Sequence, residues 1–284
     1  MNSSSRLILP EKLKYYAFDW DDNILIMATK IYLLLNWQEV GVSTRDFAHI
    51  RNNLWDSKDL IDQIKKWVHY ILENWKSFRD FTVEWDKQFE TDFMNATLWP
   101  SWDQFQECIN NASIFSIITA RWHSSAAMTK AIENMIFSWF EWLNLDQICQ
   151  NMYNFMKLAN NNTGNKVLTW DKELIDYYLG LSRMYPVSNN SEMEKYWISW
   201  STISPEIAKW HSLLHFVNHI TKKVDKLVPE LYQRPKITVW FSDDDKKNVE
   251  FMKIFMEKHW LWEDILHNLF DTSSWESKKI QLLR

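Results

Sequence analysis

Three short stretches join buried-looking runs to residues that handle phosphate and divalent metal. Tyr15-Tyr16-Ala17-Phe18 runs into Asp19-Trp20-Asp21-Asp22-Asn23, Ser116-Ile117-Ile118 ends in Thr119-Ala120-Arg121, and Val239-Trp240-Phe241-Ser242 meets Asp243-Asp244-Asp245. In an extended segment residues two apart share a side, so Asp19 and Asp21 would aim at one pocket. One carboxylate can attack phosphorus and become an aspartyl-phosphate. The other can protonate the leaving oxygen and then activate water. Asp243 and Asp244 offer the hard oxygens that Mg²⁺ takes alongside substrate phosphate. Carboxylates about 4 Å apart repel by roughly 4 kcal/mol at an effective dielectric near 20, so such a pocket needs cations. Asp245 also suits a helix N-terminus, where an acid complements the dipole. The Thr119 hydroxyl, with the backbone from Ala120 onward, is placed to bind phosphoryl oxygens at the start of a following helix. Arg121 either adds charge there or lies on the surface, and His123 is a lesser candidate. Lys209 is the expected cation, in Ser204-Pro205-Glu206-Ile207-Ala208-Lys209, with Lys222, Lys223 and Lys236 as rivals.

Strands must carry these groups. The apolar runs at 14–19, 113–119 and 237–241 read as buried strands, each closed by a polar cluster. Helices are expected over about 124–139, over 173–181, from Ser204-Pro205 with proline at the first position, and from Lys246 onward with Val249, Met252, Ile254 and Phe255 in the apolar pattern. The tract 160–165, rich in Asn, reads as a loop, and 185–188 as a strand end. Strands alternating with helices predict an α/β fold with a Rossmann-like parallel sheet flanked by helices, whose functional groups gather at the C-terminal strand ends. Residues 23–40 read as a loop or hairpin. From Ser43, an N-cap, the pattern turns helical with Leu60, Ile61, Ile64, Val68 and Ile71 in phase. The expected organisation is a core over 12–42 and 108–284 with a mostly helical cap inserted at 43–107.

Composition narrows the class. The 284 residues suffice for one large domain or a core with a cap, and 46% hydrophobic residues suffice for a core. A net charge of −5 does not favour nonspecific nucleic-acid binding. The two cysteines, Cys108 and Cys149, suit a reducing compartment rather than a disulfide scaffold. Leu7-Ile8-Leu9-Pro10 is too short for a signal-peptide core or a membrane span, so a soluble cytoplasmic protein is expected.

The motifs resemble those of the haloacid dehalogenase-like hydrolase superfamily, phosphatase branch. Phe18-Asp19-Trp20-Asp21-Asp22-Asn23 is similar to its first motif, Ile117-Ile118-Thr119 to its second, Lys209 to its third and Ser242-Asp243-Asp244 to its fourth. The resemblance covers roughly residues 12–40 and 110–260. It implies Asp19 as nucleophile and Asp21 as general acid/base, with Thr119, Ala120 and Lys209 binding phosphate. It also implies Mg²⁺ held by Asp19, the Asp21 carbonyl, Asp243 and Asp244, and a small phosphorylated substrate. More narrowly, the chain resembles a bacterial and phage group of that superfamily in which FDxDDN, ITARGH and SDDDxxN recur, with Trp122 standing at the glycine of the second pattern. Asn23 departs from the Thr or Val usual in the superfamily, and Asp22 from a common Gly. A noncatalytic phosphate-binding member and a polynucleotide-end phosphatase are the alternatives. A receiver-like signalling domain shares the residue types, but its acceptor aspartate lies mid-chain and its lysine last.

Tryptophan numbers 19 and glycine 3. Together they make about 8% of the chain, near the usual glycine content of about 7%. Trp37 follows Asn36 where Asn-Gly would make a hairpin turn. Trp99, Trp170 and Trp275 sit in turn-like contexts, and Trp122 stands at the glycine of ITARGH. Some bacterial lineages read UGA as glycine, so most of these tryptophans are expected to stand for glycine codons, Trp240 among them. Trp20 is an exception, because a large side chain is tolerated there.

Overall fold

The computed structural model describes residues 12–35, 38–44, 85–138, 143–163, 168–196, 205–227, 235–258, 265–274 and 276–282. The chain divides into two compact units, one of residues 1–24 with 99–284 and one of 25–98.

Six strands of the first unit are described. In chain order they are β1 (Lys12–Phe18), β6 (Phe115–Thr119), β7 (Arg183–Pro186), β8 (Lys236–Asp243), β9 (Ile265–Asp271) and β10 (Lys278–Ile280). Their order across the sheet is β10-β9-β8-β1-β6-β7. All neighbouring pairs are parallel except β9 with β10. The α/β expectation therefore holds. β1 is central, and its second half, Tyr15 to Phe18, is buried without alternation, as in a strand covered on both faces. Phe115, Ile117, Ile118, Val239 and Phe241 continue this core along β6 and β8.

Seven helices of this unit are described: α2 (Trp102–Asn110), α3 (Ser125–Phe137), α4 (Leu145–Thr163), α5 (Asp171–Leu181), α6 (Asn190–Glu194), α7 (Pro205–Leu227) and α8 (Lys246–Lys258). Ser124 caps α3, its hydroxyl accepting the Ala127 N–H at 3.0 Å. Pro205 opens α7, where its missing N–H costs no helical bond. One face of α7 buries Leu213, Phe216, Val217 and Ile220, at the spacing of a core-facing helix. After α2 the chain turns through Ala112, whose φ of 50° lies in the left-handed region. The Ala112 and Ser113 N–H groups return to Ile109 and Cys108, closing the helix end.

The second unit holds β2 (Leu25–Ile26) paired with β5 (Thr97–Leu98), the antiparallel pair β3 (Lys30–Leu35) and β4 (Gln38–Ser43), and α1 (Trp85–Met94). Leu35 pairs with Gln38, so two residues connect β3 to β4; positions 36 and 37 lie outside the described residues. The hairpin expected within 23–40 is present, but it runs from Lys30 to Ser43, and Leu25 and Ile26 pair outside it, with β5. The insertion expected at 43–107 falls largely on residues 45–84, which are also outside the described residues, as are the periodic apolar residues from Leu60 to Ile71.

Several local expectations need refinement or correction. Ser43 is the last residue of β4, paired with Lys30, and Thr44 directly after it is helical, so Ser43 keeps the N-cap position while also closing a strand. Asn160 to Thr163 continue α4 rather than forming a loop. Asparagine disfavours helix by only a few tenths of a kcal/mol, which helical hydrogen bonding outweighs. Ile254 is 42% exposed and leaves the buried stripe of α8 to Val249, Met252 and Met256. Among the described residues only Asp22 and Ala112 have positive φ outside glycine, so no described tryptophan sits where the backbone demands glycine. No helix among them is long and apolar enough to cross a membrane.

Candidate active site

Register places the acids. Phe18 pairs with Ile117 on one side and with Ser242 on the other. Asp19 is thus level with Asp243 across adjacent strands, and Thr119 closes the strand on the far side. The Asp19 N–H donates to the Ser242 carbonyl at 3.0 Å, extending the ladder by one residue to the point where both acids emerge.

Lys209, one turn into α7, reaches both. Its Nζ donates to Asp19 Oδ2 at 2.6 Å and to Asp243 Oδ2 at 2.7 Å. The side chains of Lys209, Asp19 and Asp243 are 2%, 9% and 0% exposed. A buried ammonium between two buried carboxylates persists only because each compensates the desolvation of the others. Burial pulls the Lys209 ammonium down, but the two carboxylates outweigh it and hold its pKa above the ordinary value. The Asp19 carboxyl is pushed up to about 7 by burial; Lys209 opposes that rise, and Asp243 and Asp21 add to it. Burial also raises Asp244 well above the usual carboxylate range, helped by the charges of Asp19 and Asp243.

The carboxylates of Asp19, Asp243 and Asp244 present oxygens within 4.8 Å of one another. That donor set is hard, anionic and closely spaced, and it fits a divalent cation such as Mg²⁺. Remaining lone pairs are also used. Asp19 Oδ1 accepts the Trp20 N–H at 2.8 Å. Asp243 Oδ1 accepts the Asp245 N–H and the Asn248 Nδ2, each at 3.0 Å. Asp245 accepts the Lys247 N–H at 2.9 Å and so serves the start of α8, as its alternative reading had it.

The remaining expected residues are placed less uniformly. Thr119 is buried, and its Oγ1 accepts the Arg121 N–H at 3.3 Å. Ala120 is exposed beside it at the same strand edge. The Asp21 carboxylate does not join the acidic cluster. Arg121 grips it with two parallel hydrogen bonds, Nε to Oδ2 at 2.7 Å and Nη2 to Oδ1. Arg121 is therefore not a surface residue: it is 7% exposed and paired with Asp21. His123 is buried. Of the lysine rivals, Lys222 and Lys236 are exposed and Lys223 is half-buried.

Two residues in the motifs carry more than sequence reasoning gave them. Asn248 orients Asp243 from the first turn of α8. Asn23 is fully buried and hydrogen-bonded to four other residues. Asp22, with φ of 52°, occupies a left-handed position that Asp tolerates better than most residues. The chain matches no family model, and comparison with curated proteins and with solved structures gives no match.

Proposed function

We propose that the protein is a Mg²⁺-dependent phosphohydrolase that works on a phosphomonoester through an aspartyl-phosphate at Asp19. The observation carrying this reading is the buried Asp19–Lys209–Asp243 bridge, with Asp244 beside it, at the C-terminal ends of neighbouring parallel strands. Purely structural acids have little reason to collect there, whereas open parallel sheets bind ligands at that edge.

In this reading an Asp19 oxygen attacks phosphorus, the ester oxygen leaves with a proton, and water then cleaves the acyl phosphate to return Asp19 and release phosphate. Lys209 neutralises Asp19 in the resting state and offers its charge to the incoming phosphoryl oxygens. Thr119 and the backbone at Ala120 receive those oxygens from the adjacent strand end. Asp19, Asp243 and Asp244 would hold Mg²⁺, which supplies charge neutralisation between the acids and the phosphate dianion. Asp21 is the proton donor and later the base, and it must leave Arg121 to serve. An anionic substrate competing for the guanidinium would release it.

The Arg121–Asp21 pairing also favours a second reading, a phosphate-binding member of this fold without turnover, because it engages the second acid. Phosphate release from a generic aryl phosphate separates the two. Catalysis predicts Mg²⁺-dependent turnover in the wild type and none in Asp19→Asn. Phosphate binding without release would leave the noncatalytic reading standing.

A further inference from the structure

We infer that Asn23 is a positioning residue that clamps the two acid-bearing strand ends at a fixed spacing. Its amide is saturated. Nδ2 donates to the Asp19 carbonyl at 2.9 Å, to Ser242 Oγ at 2.9 Å and to the Ser242 carbonyl at 3.2 Å. Oδ1 accepts the hydroxyls of Ser101 and Thr272, each at 2.7 Å. The Asn23 carbonyl takes the Ser101 N–H at 3.0 Å. The amide therefore has no free donor or acceptor and no exposed surface.

The direction of these bonds matters. The donor side grips the peptide of Asp19 and the residue before Asp243, on two different strands. The acceptor side is anchored by Ser101, at the start of α2, and by Thr272, just past β9. Ser101 sits at the N-cap of α2 yet gives no side-chain cap to that helix. Its hydroxyl goes to Asn23 instead. Thr272 is tied back to the same place, since its N–H donates to the Asp243 carbonyl at 3.0 Å. A Thr or Val at position 23 has no amide with which to bridge two strands and two hydroxyls, so the departure at this position builds a network rather than removing a function. For metal binding the inference rests on the phosphohydrolase reading; the clamp itself does not.

Two readouts test it on the full-length protein. The variants are Asn23→Leu, of similar volume, and Thr272→Val, which removes one anchoring hydroxyl and keeps the shape. The first readout is backbone amide exchange without metal. Peptides containing Asp19 and Asp243 should exchange faster in both variants, about tenfold in Thr272→Val, the factor expected from losing roughly one buried hydrogen bond, and by more in Asn23→Leu, which loses all five. Peptides from α4 and α5 should not change. The second is Mn²⁺ binding to the protein alone, followed by electron paramagnetic resonance. Its dissociation constant should weaken by about 10- to 100-fold in Asn23→Leu, as for outer partners of metal ligands, and by less in Thr272→Val. Wild-type exchange rates in Thr272→Val, or in a folded Asn23→Leu, would overturn the clamp. If the wild type itself binds no Mn²⁺, the metal-site reading falls while the exchange result still decides the clamp.

Discussion

Replacing Lys209 with Met removes the cation that, among the described residues, bridges Asp19 and Asp243. Methionine keeps the unbranched stem, so the packing of α7 against the sheet changes little. What remains is a set of carboxylates with oxygens within 4.8 Å of each other in a buried site. At that spacing each charged pair repels by about 3.5 kcal/mol at an effective dielectric near 20. Breaking a buried ion pair from one side costs about 3 to 5 kcal/mol. The loss should depend on pH in a definite direction. Burial pushes the Asp19 carboxyl up to about 7 from its ordinary 3.8. A carboxyl so raised contributes stability at low pH that disappears as pH climbs through the folded value. Without Lys209 the carboxyl rises further, so the deficit of Lys209→Met should be smaller near pH 5 and larger near pH 8, growing as pH climbs past 7. Urea denaturation followed by tryptophan fluorescence measures this. Adding Asp19→Asn to Lys209→Met should recover part of the deficit at pH 8. Mg²⁺ at a hundred times its dissociation constant should recover about 2.7 kcal/mol. A loss under about 1 kcal/mol at pH 8, against the 3 expected for a buried pair, or an equal loss at both pH values, would refute the reasoning.

Other consequences are as specific. Arg121→Gln strips a bidentate partner from a carboxylate that is only 17% exposed, and should lower stability by about 2 kcal/mol in the same urea assay; a change within 0.5 kcal/mol would mean that the pair is ornamental. Ala112→Gly relieves a left-handed residue at the end of α2, offset in part by the freer unfolded chain, for a net gain of about 0.5 to 1 kcal/mol. A loss there would show that the turn does not need glycine's freedom. Peptide mass spectrometry of protein from its native host should read glycine at positions 37, 122, 170 and 240 where the sequence has tryptophan. Trp170 fits that expectation, being 73% exposed at the N-cap of α5 and giving no side-chain cap, and tryptophan at all four positions would end the recoding idea.

Much of the site was legible because strand ends leave a strong local signature. A buried strand is a short apolar run, and the residue after it is the one that reaches the edge. That logic alone groups Asp19, Thr119 and Asp243 at one edge of the sheet. Lys209 followed from charge balance and from the proline that starts its helix. The partners of these residues were not legible, because their contacts span the chain. Asn23 meets Thr272 across 249 residues and Ser101 across 78. Arg121 meets Asp21 across 100. No local period carries such pairings. β9 was missed because His267 and Asn268 interrupt its apolar pattern, although Asn268 is buried like a core residue. The Asn-rich end of α4 was misread because composition signals loops only on average, and a helix already under way extends through residues that would not start one.

The central claim is that Asp19 is the atom donor to phosphorus. Borohydride added during turnover of an aryl phosphate with Mg²⁺ reduces an acyl phosphate to an alcohol, converting the attacked aspartate to homoserine, which peptide mass spectrometry locates. The account predicts homoserine at position 19, dependent on both substrate and Mg²⁺. Phosphate release with position 19 unmodified, or with the mark on Asp21 or Asp243, would contradict it.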